Sequence, residues 1–235
     1  MSIHFCTFGS SGYEKALDRI NRQATESNFF STIDLYNETN TPGINLHNQF
    51  INKNKRGYGY WLWKPLVILD MMNKYAKDSI IIYADAGCEI IKAESTVKLF
   101  NKYIEDVKTH PSHILGFVNR YTECIWTKND LFTYLDTTDM DKNSNQLWAG
   151  LQILLNNESN KKLMEEWLYI MTTNNYHYVD DSPSISKNYI NFKEHRHDQS
   201  VISLLKKKYG FFPEDYHSII KKTFLPIHPS RKRTC

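Results

Sequence analysis

The feature that most constrains this chain is an apolar run that begins at residue 80 and ends on a carboxylate. Residues 80–84 read Ile-Ile-Ile-Tyr-Ala, and Asp85 follows, with Gly87 two positions on and Glu89 two beyond that. An uninterrupted apolar run of this length predicts a strand buried on both faces, as in a parallel sheet. Open α/β sheets bind ligands in the crevice beyond the carboxyl ends of their strands. We therefore expect Asp85 to mark the active site.

Strand and helix patterns alternate along the rest of the chain. Apolar patterns predict strands over residues 3–8, 29–36, 113–118 and 147–155. Apolar residues at helical spacing predict helices over 13–24, 66–73, 97–107, 126–135, 163–171 and 197–208. This alternation predicts an α/β fold in which a mostly parallel central sheet carries helices on both faces. The polar segment 174–194 is of a length typical of lids and binding loops, and we hypothesise that it closes over a ligand.

Composition narrows the class of protein. The 235 residues carry a formal net charge of +3, which is far from the one-sided balance of a dedicated nucleic-acid binder and fits an anionic small ligand better. No stretch approaches the roughly 20 apolar residues that cross a bilayer, and the N-terminus has no secretory-signal pattern. The four cysteines show no CxxC spacing, so a reducing compartment is expected. We predict a cytoplasmic protein, in the host cytoplasm if viral, without a membrane span or a nucleic-acid partner.

Asp85 has two interpretations. It either caps a local turn, as aspartate readily does, or it orients a ligand hydroxyl or holds a divalent cation over phosphates. If the chain stays extended beyond Asp85, Gly87 and Glu89 share its face, and Glu89 then supplies the second oxygen that glycine lacks.

The motif over residues 194–200, Glu-His-Arg-His-Asp-Gln-Ser, precedes an apolar helical run. Its plain interpretation is a solvated helix N-terminus, where aspartate is favoured by the helix dipole. Its functional interpretation makes Asp198 a general base that deprotonates an alcohol. The two-residue spacing of His195 and His197 is a weak indication of metal binding, since no further ligands stand close by.

Two further segments have open interpretations. The aromatic residues Tyr58, Tyr60, Trp61 and Trp63 either pack in the core or, with Arg56 and Lys64, offer stacking surface beside phosphate-binding charge. The basic tail after residue 221 would ordinarily be solvated. Its apolar stretch around Leu225 and His228 instead indicates docking against the fold.

Four stretches of the chain, residues 56–65, 83–89, 146–150 and 194–200, together resemble GT-A-fold nucleotide-sugar glycosyltransferases. The likeness is strongest to small transferases of bacterial polysaccharide clusters and large DNA viruses. It implies a single GT-A (Rossmann-like) domain over residues 1–235. In that domain a donor nucleotide-binding half spans about 1–118 and an acceptor-side half about 119–235.

The resemblance also implies site residues. In the Asp-x-Asp metal motif of the family, Asp85 matches the first acid and Gly87 departs at the second, so Glu89 and His228 would complete a site for Mn²⁺ or Mg²⁺. Asp198 resembles the catalytic base of inverting members. The implied nucleotide-sugar-binding residues are Thr7, Phe8 and Gly9 at the base, Lys64 at the phosphates, Trp148, Ala149 and Gly150 at the sugar and acceptor cleft, and Asp85, Ala86, Gly87, His197 and Gln199.

The resemblance thus implies transfer of a hexose or pentose from a nucleoside diphosphate sugar, expected to be a UDP-sugar, to a hydroxyl of a glycan or glycoconjugate, with inversion. Two alternatives stay open. A metal-dependent hydrolase would use Asp85, His195, His197 and Asp198, and a non-catalytic module would bind carbohydrate or nucleotide through the same aromatic residues.

Overall fold

The structure is a computed structural model that describes residues 1–220 and 224–233. The strands are β1 (Ile3–Phe8), β2 (Thr32–Tyr36), β3 (Ile80–Ala84), β4 (Glu89–Ile90), β5 (Leu115–Thr122), β6 (Asn145–Leu147), β7 (Leu151–Leu155), β8 (Phe212–Glu214) and β9 (Ile227–His228). The α-helices are α1 (Glu14–Ser27), α2 (Asn48–Lys53), α3 (Gly57–Tyr60), α4 (Trp63–Lys74), α5 (Glu94–Thr109), α6 (Glu123–Trp126), α7 (Asn129–Tyr134), α8 (Asp139–Lys142), α9 (Glu158–Thr172), α10 (His197–Tyr209) and α11 (Tyr216–Ile220). Short 3₁₀ turns lie at Ile44–His47 and Asn174–Tyr176.

The central sheet has four strands in the order β2-β1-β3-β7. Strand β1 pairs parallel with both β2 and β3, and β7 pairs antiparallel with β3. All five residues of β3 are buried, as the unbroken apolar run predicts. The predicted α/β fold with a mostly parallel central sheet is therefore confirmed. Two smaller sheets, β6-β5-β8 and β4-β9, flank it.

Side chains of β3 alternate between two hydrophobic clusters because successive residues of a strand point to opposite faces. Ile81 and Tyr83 pack into a cluster with residues of α4, α9 and α10. Ile80, Ile82 and Ala84 pack into a second cluster with residues of α1 and α5. Helices thus cover both faces of the central sheet, as predicted, and the carboxyl end of β3 emerges between these two layers.

The predicted strand over residues 147–155 is wrong in one respect, because it is broken into β6 and β7. Residues 148–150 leave the strand path and bind two different neighbours. The N–H of Trp148 donates to the carbonyl of Phe117, 2.8 Å away, and the carbonyl of Gly150 accepts from the N–H of Asp85 at 2.9 Å. The break carries the chain from one sheet to the other directly beside Asp85.

The polar segment 174–194 has no strand or long helix and is held by two buried residues, Lys128 and Asp130. The Asp130 carboxylate accepts from the backbone N–H groups of Ile185 and Ser186 at 2.7 and 2.8 Å, and it pairs with His177 at 2.7 Å. The Lys128 ammonium donates to the Asp180 carboxylate at 3.2 Å. These contacts attach the segment to the body of the domain; its closure over a ligand stays a hypothesis. Over the two described ranges, no helix has the length and apolarity needed to span a membrane.

Candidate active site

Asp85 lies immediately after β3, at the carboxyl end of the central sheet. Its backbone N–H donates to the carbonyl of Gly150 at 2.9 Å, and its carboxylate accepts from the Tyr83 hydroxyl at 2.6 Å. The side chain is 35% exposed, so one part of the carboxylate faces solvent while the other is held by protein. This is the position at which the sequence predicts a ligand-binding acid.

Lys64 joins Asp85 to the second predicted acid, Asp198. The Lys64 ammonium lies 3.2 Å from Oδ1 of Asp85 and 2.8 Å from Oδ2 of Asp198. Burial would by itself lower the pKa of Lys64, but the two carboxylates outweigh it and raise that pKa, so the ammonium stays charged. Residues 134 positions apart in sequence therefore form one charged group.

The Lys64 ammonium also has aromatic neighbours. It lies 5.9, 5.8 and 5.9 Å from the ring centres of Trp61, Trp63 and Tyr83, within the range of cation–π attraction. Trp63 is buried, as is Tyr60, which supports the core-packing interpretation of the aromatic cluster. The same rings that fill the core thus form the wall behind the ammonium.

Asp198 is the second residue of α10, and its side chain is only 5% exposed. Burial raises its pKa to about 6, and the Lys64 ammonium limits that rise. The carboxylate is consequently ionised at neutral pH yet more basic than an ordinary aspartate. A carboxylate with this property suits a general base.

The start of α10 is bound to the break between β6 and β7 through Gln199. The Gln199 amide oxygen accepts from the N–H of Ala149 at 3.4 Å, and its amide nitrogen donates to the side chain of Gln146 at 2.8 Å. The half-buried Trp148 stacks on Tyr216, with ring centres 5.6 Å apart. Six predicted site residues therefore meet at one place: Lys64, Asp85, Ala149, Gly150, Asp198 and Gln199.

The two histidines of the motif are buried and neutral. Both ring nitrogens of His195 are used by backbone, Nδ1 accepting from the N–H of Lys128 at 3.2 Å and Nε2 donating to the carbonyl of Tyr178 at 2.9 Å. His197 donates from Nδ1 to the carbonyl of Val179 at 2.7 Å, and burial lowers its pKa to about 4. His195 thus has no nitrogen left for a metal ion, which argues against the hydrolase alternative.

The end of β1 reaches the same edge of the sheet, since β1 runs parallel to β3 with Cys6 opposite Tyr83. Phe8 is buried and stacks on Trp63 at 4.0 Å, so its ring packs in the core. Thr7 is fully buried, and its hydroxyl has no hydrogen-bond partner within the described ranges. Gly9 allows helix α1 to approach, because a Cβ there would lie 2.8 Å from Cγ of Leu17.

The expectation that Glu89 shares the face of Asp85 is wrong, because the chain turns between them. The N–H of Cys88 donates to the carbonyl of Asp85 at 2.8 Å, closing a turn that includes the buried Ala86. Glu89 instead stands opposite His228 in the β4-β9 pair, and its carboxylate binds the ammonium of Lys232 at 2.6 Å.

The predicted metal ligands Asp85, Glu89 and His228 do not form a metal site in this structure. Within residues 1–220 and 224–233, no three His, Cys, Asp or Glu residues are grouped so as to hold a metal ion. A lysine ammonium already faces Asp85, another faces Glu89, and Gly87 has no ligand to offer. The side chains present therefore do not fit a divalent cation.

The sequence predicts that the tail docks against the fold, and Leu225 and Ile227 are indeed buried, but neither the role of Tyr83 nor the contact of the tail with Gly87 was predicted. Tyr83 stands two residues before Asp85, so the period of a strand places both on one face, which is a signal that the sequence does contain. The contact of residues 231 and 232 with Gly87 joins positions more than 140 residues apart and has no local signal.

Comparisons with known proteins give similarity in structure but not in sequence. No protein family and no curated protein matches the sequence. A similar solved structure is the glycosyltransferase GlyE of Streptococcus pneumoniae, with 10% sequence identity and a TM-score of 0.46. The match covers 97% of this chain and 54% of that one, so the chain spans about half the length of GlyE. Another is a glycosyltransferase involved in glycosylation of the major capsid of PBCV-1. It has 11% sequence identity and a TM-score of 0.43, and the match covers 92% of this chain and 83% of that one. A third is the galactosyltransferase LgtC in complex with donor and acceptor sugar analogs. It has 10% sequence identity and a TM-score of 0.47, and the match covers 89% of this chain and 72% of that one.

All three structures are glycosyltransferases, the class of enzyme that the sequence motifs resemble. Identities near 10% and TM-scores below 0.5 carry no inference about activity. The fold class rests on the sheet topology of the chain itself.

Proposed function

We propose that this chain is a glycosyltransferase that moves a sugar from a nucleoside diphosphate sugar, with a UDP-sugar as the expected donor, to a hydroxyl of a glycan or glycoconjugate. One observation carries the proposal: the Lys64 ammonium lies between the carboxylates of Asp85 and Asp198 at the carboxyl end of β3. An α/β sheet binds its ligand at this edge, and the group there combines a fixed cation with a basic carboxylate.

Sugar transfer makes two demands on such a site. The acceptor hydroxyl must lose its proton as it attacks the anomeric carbon, and the bond from that carbon to the diphosphate must break with its negative charge stabilised. Asp198, with its pKa near 6, is our candidate to take the proton. A base acting directly on the acceptor gives a product of inverted configuration, and we propose inversion on that ground.

The donor is proposed to lie along the edge formed by β1 and β3. Its nucleotide would be near Thr7 and Gly9, its phosphates near Asp85, and its sugar near the segment from Trp148 to Gly150. The parallel pairing of β1 with β3 and the hydrogen bond between Asp85 and Gly150 support this proposed placement. It agrees with a donor-binding half over about 1–118 and an acceptor-side half over about 119–235, which we keep as a proposal.

The location of the protein is proposed to be the cytoplasm. Cys6 and Cys88 are buried free thiols and Cys124 is a partly buried one, which suits a reducing compartment.

A panel of nucleotide sugars tests the proposed function. UDP-, GDP-, CDP- and dTDP-sugars are titrated calorimetrically, and release of nucleoside diphosphate is then measured with and without a mixture of glycan acceptors. A transferase binds one donor class and releases its nucleoside diphosphate faster when acceptor is present. A binding module would bind without release, and a hydrolase would release at full rate without acceptor; either result contradicts the proposal.

A further inference from the structure

The C-terminal residues 224–233, here called the strap, cross the turn that follows Asp85. Strand β9 of the strap pairs with β4, and the N–H of Lys232 donates to the carbonyl of Gly87 at 3.0 Å. Arg19 of α1 connects the turn to the strap, because its guanidinium donates to the carbonyls of Ala86 and Lys232 at 2.7 and 3.2 Å. The strap is thus attached to the candidate site by main-chain hydrogen bonds and by an ion pair of Lys232 with Glu89.

The strap lies in van der Waals contact with position 87. A Cβ at that position would lie 3.4 Å from Cα of Arg231 and 3.6 Å from the carbonyl oxygen of Lys232. A carboxylate extending beyond such a Cβ would displace the strap. The second acid of an Asp-x-Asp motif would therefore have to extend past the backbone of Arg231.

Arg231 brings an uncompensated positive charge to this place. Its side chain is exposed and has no ion-pair partner in the described part of the chain. Its charge acts on two phenols: that of Tyr121, whose pKa is lowered mainly by Arg120, and that of Tyr216, whose pKa is raised by burial. Tyr216, one of these two phenols, stacks on Trp148 at the side of the cleft.

A second guanidinium shares that neighbourhood. Arg120 lies 5.5 Å from the ring of Tyr121, and its charge also acts on Tyr216. Like Arg231, it is exposed and has no carboxylate partner among the residues that the structure describes. Both positive charges act on the same two phenols, and a bound anion would compensate both.

The inference rests on the proposed function and names the groups that neutralise the donor. We propose that Arg231, held over Gly87 by the strap, and Arg120 bind the diphosphate of the nucleotide sugar, so that donor binding requires no divalent cation. Guanidinium groups suit this role because they donate in a planar fork that matches two phosphate oxygens. The poor fit of Asp85, Glu89 and His228 to a metal ion agrees with this assignment.

Binding of nucleoside diphosphates tests the inference without relying on turnover. UDP, GDP, CDP and dTDP are titrated calorimetrically into the wild type, once in EDTA and once in Mn²⁺. For the tightest binder we expect equal dissociation constants in both buffers, within about twofold. The R231M and R120M variants should each weaken binding by about tenfold or more, the effect of losing one charge-assisted contact.

The matched control is R233M, which removes another arginine of the strap, one whose guanidinium lies over the ring of Tyr13 at 5.2 Å. It should bind as the wild type does. Arg120 and Arg231 are both exposed, so their substitution should leave the thermal unfolding midpoint unchanged, and R231K should bind with intermediate affinity.

The outcomes separate this inference from the proposed function. Binding that disappears in EDTA, or that survives R231M and R120M unchanged, overturns the inference and leaves the transferase proposal standing. A wild type that binds none of the four nucleotides in either buffer overturns both.

Discussion

The ammonium of Lys64 lies 2.8 Å from the carboxylate of Asp198, and the two side chains are 4% and 5% exposed. An ion pair this deeply buried gives little net stability, because desolvation offsets the attraction, but removing one partner strands the other charge. We interpret the pair as a device that holds a basic carboxylate ionised at the end of the sheet. The free energy lost by desolvating the pair is offset by its proposed function, which is to keep the Asp198 carboxylate ionised.

The first prediction concerns Lys64. The K64M variant leaves Asp198 without its cation, so the free energy of unfolding at pH 7.5 should fall by about 3 kcal/mol, the usual effect of breaking a buried pair. At pH 4.5 the loss should be smaller, because Asp198 then takes up a proton. Urea unfolding at the two pH values measures this, with the K64M/D198N double variant as control. Equal losses of unfolding free energy at the two pH values would contradict the conclusion that Lys64 stabilises the ionised carboxylate of Asp198.

A second prediction follows from the pKa of Asp198. Its folded-state pKa of about 6 lies above its ordinary value of 3.8, so its favourable contribution to stability is complete below 3.8 and is lost as the pH rises through 6. The D198N variant should lack this part of the pH dependence of stability.

Sugar transfer should show the opposite trend, with kcat/KM increasing through pH 6 as the base ionises. A profile that is flat between pH 5 and pH 7 would exclude Asp198 as the base.

The third prediction concerns Gly9. In G9A the added methyl carbon lies 2.8 Å from Cγ of Leu17, so the Leu17 side chain or helix α1 must shift, at a cost of about 1–3 kcal/mol. The double variant G9A/L17A relieves the collision, and the two changes should therefore be non-additive in chemical denaturation. Additive losses would show that the collision is not the cause.

The fourth prediction tests what holds the segment 174–194. Asp130 accepts hydrogen bonds from Ser186, Ile185 and His177, which hold its pKa below the usual range despite burial. The D130A variant should release the segment, and trypsin should then cleave after Lys187 about tenfold faster, because the local opening loses at least one charged hydrogen bond. The exposed residue Glu165 offers the control E165A, which should be cleaved as slowly as the wild type. Unchanged cleavage of D130A would mean that other contacts hold the segment.

Much of the fold was predictable because its signals are local. The buried run of β3 and the acid at its end are contiguous in sequence, and they correctly give the sheet and the position of Asp85. The break at residues 148–150 was not predictable, since it depends on hydrogen bonds to Phe117 and Asp85 that only the folded chain provides. The face of Glu89 was predicted wrongly because a turn, not an extended strand, follows Asp85.

The candidate site shows the same division. Asp198 and Gln199 are recognisable in their motif, but their distance from Lys64 is not, because α4 and α10 meet only through the core. The sequence leaves His195 available as a ligand, whereas in the fold both of its ring nitrogens form hydrogen bonds with the backbone. The role of Gly87 depends on the strap, which no pattern near residue 87 reveals.

The most direct test is the rate at which D198N releases nucleoside diphosphate, with donor and acceptor both saturating. If Asp198 takes the proton of the acceptor, kcat should fall by about a thousandfold while the affinity for the donor stays within a few-fold of the wild type. The control E165Q should retain full activity. A D198N enzyme that transfers sugar at the wild-type rate would contradict the assignment of this site.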